Sequence, residues 1–188
     1  MSYIIGLGHT KGVGKDTFAK MLEEQFEKRG IYARRMAFAD PVYEVAYNLF
    51  SWAGMKDKAY YDANPAEKGV MLPIGKTPRE ILIGIGNGLR DISPDVWIEL
   101  LLARVEKCAD DVVIITDVRY PNEFMQITKR DGVLLHVTRE NAPKTSDPAD
   151  DALLGFEDKW DYVVKNDGSL EELQELAKSY ALQTMLPS

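Results

Sequence analysis

An α/β fold with a central parallel sheet of about five strands is what this sequence predicts, on three observations. Short apolar runs alternate with segments of helical periodicity along the chain, the pattern of strands joined by crossover helices. The run Val112-Val113-Ile114-Ile115 is continuously apolar, as a strand covered on both faces must be. A glycine-rich turn separates the first apolar run from the first helical segment.

Taken in order, Tyr3 to Leu7 reads as a buried strand. Phe18, Ala19, Leu22 and Phe26 then recur at helical spacing, and Gly30 is placed to stop that helix. A second strand covers Ala33 to Ala39. Asp40-Pro41 offers an N-cap and an N1 proline for a helix to about Phe50. Residues 54–76 read as irregular, with Pro65, Gly69, Pro73 and Gly75. Thr77-Pro78-Arg79-Glu80 is a capping box. The helix it opens meets Gly84, Gly86 and Gly88, each costing about 1 kcal/mol against alanine, so it is either broken there or closely approached. Ser93-Pro94 opens another helix with Trp97, Leu101, Val105 and Cys108 along one face. Val112 to Thr116 is the third strand, Pro121 starts a helix ending near Asp131-Gly132, and Val133 to Thr138 is the fourth strand. Residues 140–159 form a polar, acidic loop. Tyr162 to Val164 is the last strand, and the capping box at Ser169 to Glu172 opens a terminal helix with Leu173, Leu176, Ala177 and Tyr180 inward.

The chain has 188 residues, 45% apolar and 28% charged, which suits one domain with a sizeable core. Its expected parts are a core from 1–53 and 109–188, a helical insertion at about 54–108, and a loop at 140–159. No apolar run reaches the ~20 residues of a membrane span. The start lacks a basic segment followed by a long apolar one. Cys108 is the only cysteine and reads as a buried, reduced thiol. A cytoplasmic protein is expected. The net charge of −7 comes without a basic stripe, which disfavours polymeric nucleic acid and leaves a small phosphorylated ligand open.

The turn reads Gly8-His9-Thr10-Lys11-Gly12-Val13-Gly14-Lys15-Asp16-Thr17. It follows the Walker A spacing at Gly14-Lys15, while His9 stands where the first glycine belongs and Asp16 where Ser or Thr belongs. Gly12 and Gly14 can take the positive φ angles that turn backbone N–H groups inward, and the helix start adds a field that favours anions. Lys11, Gly12, Val13, Gly14, Lys15, Asp16 and Thr17 are therefore the expected ATP-binding residues. Lys15 would reach the β- and γ-phosphates. Thr17 or Asp16 would help hold Mg²⁺. The third strand ends on Asp117, which would join them as a metal-orienting carboxylate or else cap the next helix. Arg119 lies two residues on. The first, third and fourth strands end at the turn, Asp117 and near Arg139, so all three converge on the sheet edge where such folds bind ligands.

For an acceptor, Arg79 is the first candidate: a cation in a helix's first turn opposes the macrodipole unless an anion lies there. Thr77 reads as cap or ligand. Arg90 suits the helix end with or without a ligand. Asn87 could read a flat base, or belong to a local turn. Asp40 is an N-cap or an acceptor-site carboxylate. Trp97 and Trp52 read as core or pocket walls. His9 and His136 are too few and too isolated for a metal cluster.

The sequence resembles the deoxynucleoside monophosphate kinase family of bacteriophages. The pieces that carry the resemblance are GVGKDT at 12–17, FADP at 38–41, KTPREILIGIGNGLRDISPDVW at 76–97, TDVRYPNEF at 116–124 and YVVKNDGSLEEL at 162–173. It implies a three-layer α/β/α P-loop NTPase fold like that of adenylate kinase. It also implies Mg-ATP as donor, a deoxynucleoside monophosphate as acceptor, a host-cytoplasm setting, and an assembly that is often a homodimer. The segment SDPADDALL at 146–154 departs from the family's pattern, so no lid contacts carry over.

The acceptor phosphate has a second pKa of ~6 and needs no strong base. The difficulty is bringing two anions together. Lys15, Arg119 and Arg139 are the expected catalytic cations and Arg79 the acceptor's, with 140–159 as a closing lid. Rival readings are a kinase of another phosphorylated metabolite, a nucleotide switch and an ATPase module. A switch would want N-K-x-D, approached only by Lys165-Asn166-Asp167 in the wrong order. A motor would want an acidic pair where Asp117 is followed by Val118.

Overall fold

Tyr3–Gly8 (β1) is apolar and buried almost throughout, and in the computed structural model it forms the middle strand of a five-stranded sheet. The structure describes residues 2–8, 10, 12–142 and 152–183. After β1 come Lys15–Glu27 (α1), Ala33–Met36 (β2), Asp40–Phe50 (α2), Lys58–Ala63 (α3), Pro78–Ile92 (α4) and Val96–Glu106 (α5). The chain then returns to the sheet as Val112–Val118 (β3), followed by Pro121–Thr128 (α6), Val133–Thr138 (β4), Tyr162–Lys165 (β5) and Leu170–Gln183 (α7). Strand order is β2-β3-β1-β4-β5 and every pairing is parallel, as the alternation of strand and helix predicts.

Two compact units divide the chain, Met1–Ala37 with Arg104–Ser188, and Phe38–Ala103. The first holds the sheet. On one face Ile5 and Leu7 of β1 meet Phe18, Leu22 and Phe26 of α1 and Leu173, Ala177 and Ala181 of α7 in one apolar cluster. Helical spacing assigns Phe18, Leu22, Phe26, Leu173 and Ala177 inward; Ala181 joins them, while Leu176 and Tyr180, also expected inward, pack against the cluster only partly buried. The second unit is helical, with Ala46, Met55, Tyr61 and Ile81 as a core of its own. No helix among the described residues is long and apolar enough to cross a membrane.

Several local expectations are corrected. Asp40 does not cap α2; Ala39 holds the N-cap position, and no side chain bonds there. The Asp40 carboxylate instead pairs with Lys58 at 3.4 Å. The stretch 54–76 contains α3, whose Asp57 caps it by accepting from the Tyr60 N–H at 2.9 Å, and a 3-10 turn at Pro65–Gly69. Of the two alternatives for α4, the break is absent: the helix runs through its three glycines, and Trp97 approaches Gly86 closely. Helix α5 begins at Val96, after a turn in which the Val96 N–H bonds the Ser93 carbonyl. It ends before Cys108, whose half-buried thiol lies 2.7 Å from the Asp110 carboxylate. Trp52 is not a core residue: it is 76% exposed, and its indole N–H bonds the Leu49 carbonyl at 2.8 Å. Strand β2 stops at Met36, three residues short of expectation.

Candidate active site

The phosphate loop leaves β1 at Gly8 and enters α1 at Lys15. Gly12 and Gly14 take φ of 80° and 90°, the left-handed values the glycine spacing predicts. Gly14 is the N-cap of α1, and no side chain caps the helix there. A glycine at the N-cap offers no side chain to the first-turn N–H groups, the arrangement that suits an anion at a helix start. Val13 tucks into the apolar cluster beneath α1, which fastens the loop from below. Lys15 is 8% exposed, and its ammonium donates to the Thr10 carbonyl within the same loop. Asp16 and Thr17 are exposed on the first turn of α1. Lys11 and His9 lie outside the described residues.

Sheet register brings the other candidates to this edge. Gly8 pairs with Val118 of β3 and with His136 of β4, so Asp117 lies beside the strand end from which the loop springs. Asp117 is half-buried. The loop after β3 is held by Glu123, itself 2% exposed. One carboxylate oxygen accepts from the Arg119 N–H at 2.8 Å and the Tyr120 N–H at 3.1 Å. Sequence reasoning passed over Glu123, although Pro121-x-Glu123 is the first-turn pattern of a helix whose acid reaches back to the N-cap. Arg139 is exposed just past the end of β4. Its neighbour Glu140 is tied to the turn after β5, the Glu140 N–H donating to the Asp167 carboxylate at 2.7 Å. Of the expected lid, 143–151 lies outside the described residues; Glu157–Lys159 forms a 3-10 turn.

Trp160 packs under the loop's root. A Cβ on Gly8 would lie 2.1 Å from the indole ring, so only glycine fits there. His136 stacks on the same indole at 5.0 Å and Phe124 meets it edge-on at 5.0 Å. His136 therefore belongs to an aromatic cluster. A cavity of about 540 Å³ near the start of α7 is lined by Lys165 and Asn166 as well as by Glu171, Glu172 and Glu175, so acids outnumber the cation there and phosphate is disfavoured.

The acceptor candidates lie in the helical unit. Thr77 acts as the cap of α4: its hydroxyl accepts from the Glu80 N–H at 3.2 Å, and Glu80 accepts from the Thr77 N–H at 2.8 Å. That N–H first, then the Thr77 hydroxyl, holds the Glu80 carboxyl below its ordinary range. Because α4 is continuous, Arg79, Asn87 and Arg90 fall on one flank of it together with Ile83, at spacings close to whole turns. Arg79 and Asn87 are exposed. Arg90 reaches back to the Gly86 carbonyl at 3.5 Å. Trp97, read as core or as a wall of the acceptor pocket, is 1% exposed, and its indole N–H bonds the Gly86 carbonyl at 2.9 Å. It braces α4 from inside. Lys58 stands between Asp40 and Asp62, at 3.4 and 2.9 Å. Burial pulls its pKa down, but the Asp62 hydrogen bond and the two carboxylate charges outweigh this and leave it raised.

The family model for deoxynucleotide monophosphate kinase matches residues 84–176. With its phosphate loop, this chain is a P-loop kinase. No curated protein matches the sequence. Among solved structures, the kinase is similar to shikimate kinase from Aquifex aeolicus, with 15% identity over 96% of each chain and a TM-score of 0.48. It is also similar to a sugar kinase from a Janibacter species, with 14% identity over 98% of this chain and 96% of that one, TM-score 0.49. A dephospho-CoA kinase from Campylobacter jejuni aligns at 13% identity over 97% and 96%, TM-score 0.46. The family match runs from α4 through β3 and β4 into α7, so it takes in Asn87, Arg90, Asp117, Arg119 and Arg139 of this kinase.

Proposed function

We propose that this kinase moves the γ-phosphoryl group of ATP, with Mg²⁺, onto a deoxynucleoside monophosphate, giving ADP and a deoxynucleoside diphosphate. The family match across 84–176 carries the choice of acceptor. The phosphate loop takes the donor: Gly12 to Thr17 supply backbone N–H groups and Lys15 a cation for the β- and γ-phosphates. Asp16, Thr17 and Asp117 offer only oxygen donors, the hard set that suits Mg²⁺. An acid beside a triphosphate would otherwise repel it, which favours a cation between them. When bound, the metal would neutralise charge on the phosphates.

The acceptor phosphate is already largely ionised at neutral pH, so the chain's task is alignment and charge. Arg79 would hold that phosphate at the start of α4, and Asn87 and Arg90, on the same flank, would face the nucleoside. Arg119 and Arg139 would attend the transferring group as charge shifts between donor and acceptor. Asp40 and Thr77 would act through neighbours, Asp40 by fixing Lys58 and Thr77 by capping α4.

The test is ADP release from Mg-ATP with dAMP, dGMP, dCMP, dTMP and the ribonucleotides in turn, following the diphosphate product. Diphosphate from one or more deoxynucleotides is the expected result. Its absence with all of them, while Mg-ATP still binds, would move the acceptor to another phosphorylated metabolite. Lys15→Ala should lower kcat by at least about a hundredfold; a variant with most of its activity would remove Lys15 from the donor site.

A further inference from the structure

Asn166 directly follows the last residue of β5 and is 9% exposed. Two separate parts of the site engage it. Its backbone N–H donates to the Thr138 carbonyl at the end of β4, 2.8 Å away. Its side-chain nitrogen donates to the Val13 carbonyl inside the phosphate loop at 2.9 Å, across 153 positions of sequence. Only the amide nitrogen can donate to a carbonyl, so chemistry fixes the orientation of the amide. That same nitrogen lies against Gly14: a Cβ on Gly14 would come within 2.3 Å of it.

A trans peptide is planar, and its C=O and N–H point in opposite directions. Capturing the Val13 carbonyl therefore sets the direction of the Gly14 N–H, which must face away from Asn166. Gly14 has φ of 90° and could rotate more freely than any other residue type. Without the amide, the Val13–Gly14 peptide could turn over and present its carbonyl, the negative end, to a phosphate. We propose that Asn166 is a positioning residue of the phosphate loop, holding the Val13–Gly14 peptide so that its N–H, not its C=O, faces the bound triphosphate. This rests on the reading that the loop holds a nucleoside triphosphate.

The experiment compares full-length wild type with Asn166→Ala and Asn166→Asp, measuring Mg-ATP affinity by calorimetry, both Michaelis constants and the thermal midpoint. Loss of one buried hydrogen bond predicts about a tenfold rise in the Kd for Mg-ATP in Asn166→Ala, with the acceptor KM within about twofold of wild type. Asn166→Asp keeps size and shape but sets a carboxylate against a carbonyl. It should bind Mg-ATP more weakly than wild type at neutral pH and recover as pH falls, because the protonated acid donates again. The ratio of variant to wild-type affinity removes any pH trend of ATP itself. If Asn166→Ala does not fold, the pH profile of Asn166→Asp decides alone.

Folded variants that bind Mg-ATP as wild type does would overturn the proposal. So would an Asn166→Asp that shows no recovery in acid, or equal losses for donor and acceptor. A wild type that binds no Mg-ATP would bring down the reading of the loop, and this inference with it.

Discussion

Glu123 holds a carboxylate at 2% exposure, where an unpartnered charge would be costly. Two backbone N–H donors, from Arg119 and Tyr120, converge on one of its oxygens. The acid thus fixes the path of the chain between Asp117 and α6. Replacing it by alanine strands two donors in a buried setting, for about 2–3 kcal/mol. Urea denaturation of Glu123→Ala should show that loss, with Glu123→Gln closer to wild type because an amide oxygen still accepts. In the folded fraction of Glu123→Ala, kcat should drop as Arg119 loses its anchor. An alanine variant as stable as wild type would mean that the two bonds contribute little. Sequence reasoning placed Arg119 in the site but could not see what holds it, since burial of a carboxylate is not written in a spacing.

Helix α4 carries the acceptor candidates Arg79, Asn87 and Arg90, and its glycines are the informative feature. Gly86 is buried and its carbonyl takes the Trp97 indole N–H at 2.9 Å. Gly84 and Gly88 differ: a Cβ at either would meet nothing within 4 Å. Neither has a positive φ, so alanine should fit and stabilise the helix by up to about 1 kcal/mol per site. The missing side chains at Gly84 and Gly88 leave this surface open to close approach by a ligand. Gly84→Ala and Gly88→Ala are accordingly expected to raise the thermal midpoint and to raise KM for the deoxynucleotide, with KM for ATP unchanged. Stabilisation with both constants unchanged would leave the open surface of α4 without a part in binding. The capping box at Thr77 was legible from four letters. The continuity of the helix was not, because helix propensity is a weak prior that packing on one face overrides.

For the whole molecule, the chain makes the sheet from Met1–Ala37 and Arg104–Ser188 and builds a separate helical unit from Phe38–Ala103. The donor candidates fall in the first and the acceptor candidates in the second. Hydrogen exchange can test that division. Mg-ATP should slow exchange in the phosphate loop and the first turn of α1, and a deoxynucleoside monophosphate should slow it along α4. Protection of α4 by ATP alone, or of the loop by the monophosphate alone, would exchange the two assignments. With a net charge of −7, the proposed binding of two anionic substrates would depend on the few cations at each candidate site, since nothing in the overall balance attracts them.

By itself the sequence determined the parallel α/β class, the turn at Gly12 to Lys15, the cap at Thr77 and the inward face of α7. All of these rest on local rules, in which periodicity, turn chemistry and capping act over a few residues. Tertiary structure alone decided the strand order that seats Asp117 beside the loop, the Trp160 ring against Gly8, the burial of Trp97 and the exposure of Trp52. It also decided the amide of Asn166 on Val13. Such contacts join positions far apart in sequence, and they depend on how shapes and unsatisfied polar groups meet once the sheet has formed. A periodicity read along the chain carries no record of that meeting.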